Sequence, residues 1–151
     1  MKVPFTQLSP TVAERGAIPE GVSVEIVDAD LCGRFLVRVL GGITVGESPT
    51  WLANRLTHLG MRPTNSVVDV SNYVMLERGQ PMHAFDHAKL EGAIDVRMAR
   101  PGEELKLLTE QWAEYIPNLL LITDASGPVA LGGVMGGFES MVTGTTTEVF
   151  F

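Results

Sequence analysis

Three short segments concentrate the residues able to do chemistry. The first, Arg62 to Tyr73, reads Arg-Pro-Thr-Asn-Ser-Val-Val-Asp-Val-Ser-Asn-Tyr and sets polar groups into a stretch whose valines call for a core-facing helix. Capping by Asn65 and Ser66 with a solvated Asp69 explains part of that polarity. Asn72, one turn beyond Val68 and Asp69, is within reach of a pocket at the helix end. The second segment is Gln80-Pro81-Met82-His83-Ala84-Phe85-Asp86-His87. Met82 and Phe85 give His83 apolar surroundings that would lower its pKa and keep it neutral. Such a histidine is either a satisfied core residue or a catalytic one. His83, Asp86 and His87 lack a third firm ligand for a metal, and no metal site is assigned. The third segment is the glycine-rich Gly132–Gly137. Its spacing fits neither a dinucleotide fingerprint nor a P-loop. It offers either backbone N–H groups close to a ligand or a tight turn between strands. With no nucleophile elbow and no activated cysteine, hydrolysis at such a site would use a positioned water.

The elements that must carry these segments follow from periodicity and punctuation. Residues 1–21 read as a linker broken by Pro4, Pro10, Gly16 and Pro19. From Val22 onward, Val22, Val24 and Ile26, then Phe35, Val37 and Val39, alternate as half-buried strands do. Gly41-Gly42 is a turn, after which Ile43-Thr44-Val45 can continue the sheet. A helix is predicted with Ser48 as its N-cap, Pro49 in its first position, Gly60 at its end and Leu52, Leu56 and Leu59 on one face. A second starts at Asn65-Ser66, with Asp69 completing a capping box, Val67, Val70 and Val74 in one stripe and Gly79 closing it. A helical turn follows over His87 to Leu90, and strands are expected at Ala93–Met98, Leu119–Ile122, Val129–Leu131 and Glu148–Phe151. The last would leave unpaired backbone if it ended a sheet, so a cut in a longer chain is expected there. The fold class is α+β, one domain with a mixed sheet flanked by two or three helices.

Composition narrows the function. Sixteen glycines and nine prolines favour strands and loops over a helical bundle. The formal charge of −7 and eleven scattered basic residues, with Arg97 and Arg100 the densest group, argue against a broad phosphate-gripping surface. Contact with nucleic acid, if made, is expected at a short single-stranded end. The one cysteine, Cys32, excludes an internal disulfide and reads as a small buried filler. No apolar run reaches the roughly 18 residues of a membrane span, and the first residues lack a secretory signal's apolar stretch. A cytoplasmic location with no membrane partner is expected.

Taken together, Asn65 to Glu77, Gly79 to Asp86 and Gly133 to Gly137 resemble the editing module of the bacterial phenylalanyl-tRNA synthetase beta subunit, and the resemblance runs from about Val22 to Phe151. It implies that residues 22–151 form an incomplete tRNA-editing domain. In that family two alpha and two beta chains form a heterotetramer. The alpha subunit uses ATP and magnesium to charge tRNA(Phe), the editing module itself needs no cofactor, and it removes wrongly attached tyrosine from the tRNA acceptor end. By the resemblance, His83 reads the tyrosine hydroxyl or holds the water, and Asn72 orients water or ester. Arg62 meets the terminal adenosine or its phosphate, while Pro81 and Gly136 shape the wall. The logic is physical. An apolar pocket rejects one extra hydroxyl by only on the order of 10²-fold, whereas a site whose buried polar groups require that hydroxyl spares the residue lacking it.

Departures from the family pattern are also legible. An acidic residue and a later Thr-Asp-Ala segment, both expected to line the pocket, would follow Phe151, so the chain alone is expected to hydrolyse poorly. Ser71 stands where threonine is usual, and Leu108-Thr109-Glu110-Gln111 lacks the expected Asp-Gly hairpin tip. The alternatives are a structural or tRNA-contacting module of the same fold and a free-standing deacylase for another ester.

Overall fold

The computed structural model describes residue 16, residues 23–114 and residues 118–151. The linker expected over residues 1–21 lies outside them apart from Gly16. Among the described residues the strands are β1 Val24–Ile26, β2 Val39–Gly41, β3 Phe85–Asp86, β4 Ile94–Met98, β5 Glu104–Lys106, β6 Trp112–Glu114, β7 Leu120–Thr123, β8 Pro128–Leu131, β9 Met135–Gly136 and β10 Glu148–Phe150. Helices α1 (Thr50–His58) and α2 (Ser66–Arg78) fall between β2 and β3, and a single 3-10 turn covers His87–Lys89. The α+β class with two helices and a mixed sheet holds.

The strands divide into three ladders. Five form a mixed sheet in the order β1-β4-β7-β8-β9, with β1 parallel to β4 and the other pairs antiparallel. β7, the apolar run expected to be a buried central strand, is its middle strand. Three strands form an antiparallel sheet in the order β2-β10-β3, and β5 and β6 make a hairpin. Because side chains alternate along a strand, the three-stranded sheet serves two cores. Phe85 and Phe150 pack with Ile94, Ile122, Val129 and Ala130 of the larger sheet. Their neighbours Ala84 and Val149 pack with Val142, Ile43, Val45 and, from α2, Val67. The small sheet is thus the middle layer between the mixed sheet and the helix that carries Asn72.

Several local expectations change. The backbone of β10 is not left unpaired: it has a partner on each side, and Phe151 and Arg38 exchange two further backbone bonds. Phe35, Val37 and Val39 do alternate inward against the first core, yet only Val39 belongs to a ladder. The cap of α1 is Pro49, with no side-chain bond, and Ser48 turns instead to Asp69. Leu52 and Leu56 are buried, but the helix ends at His58, which leaves Leu59 exposed.

In α2, Asn65 is the cap and accepts from the backbone N–H groups of Val67 and Val68, and Gly79 ends the helix at φ 70°. Asp69 does not complete a capping box, because the Ser66 N–H donates to the Gly46 carbonyl. The valine stripe also breaks: Val70 faces solvent, and the buried residues of the helix are Asp69 and Ser71.

Candidate functional site

His83 lies in the extended run that enters β3, on the chain leaving α2. The two residues after it, Ala84 and Phe85, fill opposite cores, which fixes the backbone on the C-terminal side of the imidazole's anchor. The ring stands edge-on to Phe85 with centroids 4.5 Å apart. Its other neighbour is bare backbone. A Cβ placed on Gly136 would sit 2.2 Å from both Cε1 and Nε2 of His83, far inside van der Waals contact, so only glycine admits the ring there. Burial pushes the His83 pKa down to about 4, because the setting strips part of the water that would solvate a charged imidazole. At neutral pH the ring is therefore uncharged. Nε2 is buried and has no hydrogen-bond partner among the described residues. A neutral imidazole with one uncommitted nitrogen can accept from, or donate to, one hydroxyl or one water.

The glycine-rich segment is the turn joining β8 to β9, and its glycines do different work. Gly133 supplies a φ of 71° for the turn itself. Gly137 permits a close approach of two backbones, since its Cβ would meet the Val129 carbonyl oxygen at 2.6 Å. Gly136 makes room for His83. The N–H groups of Gly132, Val134 and Gly137 bond to the carbonyls of Leu120, Leu131 and Val129. Those three donors are consumed by the fold, so the turn does not present them to a ligand.

The remaining residues read from sequence are placed as follows. Asn72 is half-buried on α2. Arg62, in the loop before α2, and Pro81, two residues before His83, are exposed. The structure thus brings His83 and Gly136 into contact, keeps Asn72 on the helix that leads into the His83 segment, and leaves Arg62 at the surface.

Two groups carry more than their sequence setting suggested. Asp69, expected to be solvated, is wholly buried. It accepts from Ser48 Oγ at 2.5 Å and from the Thr64 N–H at 2.8 Å, tying the entry of α1 and the loop before α2 to the first turn of α2. Arg97, read as part of the densest basic group, is buried and grips Glu103 through two bonds of 2.6 and 3.0 Å. The hydrogen bond to Glu103 raises the Arg97 pKa and that to Arg97 lowers the Glu103 pKa, so this guanidinium is committed inside the fold. Nearby, Asp86 caps the 3-10 turn and accepts from Thr146 Oγ1 at 2.7 Å, while His87 pairs with Glu148. A water-sized depression lined by Ala99, Glu103, Leu105, Pro128 and Leu131 includes none of the candidate residues and is too small for an amino acid.

Residues 31–151 match the B3/4 domain, and the chain belongs to that family. Its relatives include aminoacyl-tRNA synthetase subunits. The phenylalanine–tRNA ligase beta subunit of Thiobacillus denitrificans is 49% identical over 99% of this chain and 19% of its own length. Those of Moorella thermoacetica and Symbiobacterium thermophilum are 49% and 48% identical over 84% and 85% of the chain. These matches cover 16% and 14% of the two relatives, so the chain spans less than a fifth of the proteins it resembles. An N-terminal fragment of the phenylalanyl-tRNA synthetase beta subunit from Pyrococcus horikoshii shares the fold, with a TM-score of 0.61 at 14% identity over 92% of this chain and 44% of that one.

Proposed function

We propose that this chain is the part of a phenylalanine–tRNA ligase beta subunit that hydrolyses tyrosine misattached to tRNA(Phe), using a positioned water. The observation that carries the reading is His83 Nε2, buried, uncharged at working pH and without a partner, beside a glycine that leaves the ring bare backbone to lie against. An orphaned buried nitrogen costs about 1–3 kcal/mol. A phenol hydroxyl entering beside the ring relieves that cost, and a phenylalanine side chain leaves it in place. The hydrogen bond is thus formed with tyrosine alone, which is the discrimination an editing site requires. Asn72 orients the water or the ester carbonyl, Arg62 meets the terminal adenosine or its phosphate, and Pro81 and Gly136 form the wall.

In the whole enzyme the beta chain pairs with an alpha subunit in a heterotetramer of two alpha and two beta chains. The alpha subunit uses ATP and magnesium, and the assembly works in the cytoplasm on the acceptor end of tRNA(Phe). The net charge of −7, which opposes a broad contact with phosphates, favours one other reading, a non-catalytic structural module that shares the fold. Deacylation of tyrosyl-tRNA(Phe) by the intact ligase separates the two. His83→Ala and Gly136→Trp are each expected to slow it at least about tenfold, the loss of one hydrogen bond to the substrate being worth that much. Parental rates in both variants would show that the site lies elsewhere.

A further inference from the structure

The contact between His83 and Gly136 joins two segments far apart in sequence, and one buried serine bonds to both of them. β3 pairs with β10 along one edge. Along its other edge the Asp86 N–H donates to the Ser140 carbonyl at 2.9 Å, and Phe85 bridges Met141. The backbone just beyond His83 is therefore fixed to Ser140. The glycine turn is fixed to the same residue from the other direction. Ser140 Oγ donates to the Val129 carbonyl at 3.2 Å, with the Gly137 carbonyl as a longer contact at 3.5 Å. The Val129 carbonyl also accepts from the Gly137 N–H at 2.7 Å, so the hydroxyl grips the atom that holds the residue next to Gly136.

Ser140 is 3% exposed, so its hydroxyl gives up water on folding and is tolerable there because it is bonded. An alanine would carry no polar atom to satisfy, and no directed bond either. Phe85 packing on Val129 and Ala130 also draws the two segments together, but apolar attraction is non-directional and sets no fine spacing. Fine spacing is what this contact demands. The ring lies where a Cβ on Gly136 would be 2.2 Å from it, and a recognition group must be held within about 0.5 Å of its working position.

We infer that Ser140 is a positioning residue: its carbonyl holds the His83 strand, its hydroxyl holds the glycine turn, and together they set the imidazole against bare Gly136 backbone. Ser140 acts through His83, so its bearing on tyrosine rests on the function proposed above, whereas its hold on the ring does not.

The test reads the ring directly. In the full chain, NMR is expected to show a nuclear Overhauser contact between the His83 Hε1 and Gly136 Hα protons, since Cε1 faces that glycine. Ser140→Ala is expected to weaken the contact and to raise the His83 pKa from about 4 toward the ordinary 6.5, as water reaches a ring less closely walled. Ser140→Cys, close to serine in size and a weaker donor, is expected to fall between the two, and it carries the test if Ser140→Ala does not fold. Leu56→Ala removes buried apolar bulk from α1 and so lowers stability, yet it is expected to leave both readings at their parental values. Parental readings in a folded Ser140 variant, or the same changes in Leu56→Ala, overturn the assignment. In the intact ligase, Ser140→Ala is expected to lower the ratio of tyrosyl- to phenylalanyl-tRNA(Phe) hydrolysis roughly 2- to 10-fold, as one neutral hydrogen bond is worth. If His83→Leu leaves that ratio unchanged while Ser140→Ala still shifts the His83 pKa, the editing reading falls and the positioning role stands. If His83→Leu lowers the ratio and Ser140→Ala alters neither ratio nor pKa, the positioning role falls and the editing reading stands.

Discussion

Asp69 and His83 both bury polar side-chain atoms within one helix-and-loop segment, and those atoms end in opposite conditions. Asp69 is fully buried with its two oxygens engaged, one by a hydroxyl from before α1 and one by an amide from before α2. His83 keeps a buried nitrogen with no partner among the described residues. A satisfied buried group stabilises the arrangement that satisfies it; an orphaned one costs stability and persists where something other than folding needs it. Asp69 therefore reads as the joint that sets α1 against α2, and His83 as the group held ready for a ligand.

The largest expected effect follows from removing the joint. Asp69→Ala strands the Ser48 hydroxyl and the Thr64 amide and deletes two hydrogen bonds to a carboxylate, together about 4 kcal/mol at roughly 1.5–3 kcal/mol each. Urea unfolding should show that loss, and a change under about 1 kcal/mol would mean that Asp69 is no joint.

The second effect is a pH dependence. The His83 pKa is lowered to about 4 from an ordinary 6.5, so the unfolded chain takes up a proton that the folded one refuses. The contribution is fully present above about pH 6.5 and is lost as pH falls toward 4, by on the order of 3 kcal/mol. His83→Leu should flatten the stability curve in that window relative to the parent. Parallel curves would show that the imidazole titrates as freely as an exposed one. At neutral pH the same substitution should not lower stability, because it removes a nitrogen whose missing partner costs about 1–3 kcal/mol. A cost as large as that of Asp69→Ala would erase the contrast between the two residues.

What could be read from sequence divides along the same line. Asn65 as a cap and Gly79 as a helix end depend on atoms within a few residues, and both were legible. Ser48 satisfied the same local rule for α1, but its hydroxyl goes to Asp69, 21 positions away, and no local rule reports such a partner. The partners of β10, supplied by Val39–Gly41 and Phe85–Asp86, were hidden for the same reason. Arg97 looked available because its charge was visible and its bidentate partner across the next turn was not. At the β5–β6 tip the missing glycine was legible, and the structure gives its consequence: Glu110 adopts φ 65°, a left-handed conformation costing about 1 kcal/mol in a residue with a side chain. His83 and Gly136 were each singled out, but their contact depends on how the β8–β9 turn folds back on the β3 segment.

The most direct measurement is the ratio of hydrolysis rates for tyrosyl- and phenylalanyl-tRNA(Phe), taken with the intact ligase as parent and as His83→Leu. If the orphaned nitrogen reads the phenol, the ratio falls roughly 10- to 100-fold, as expected for one hydrogen bond to a buried group, while the melting temperature does not fall. An unchanged ratio in a folded variant would contradict the account, because tyrosine would then be told from phenylalanine without His83.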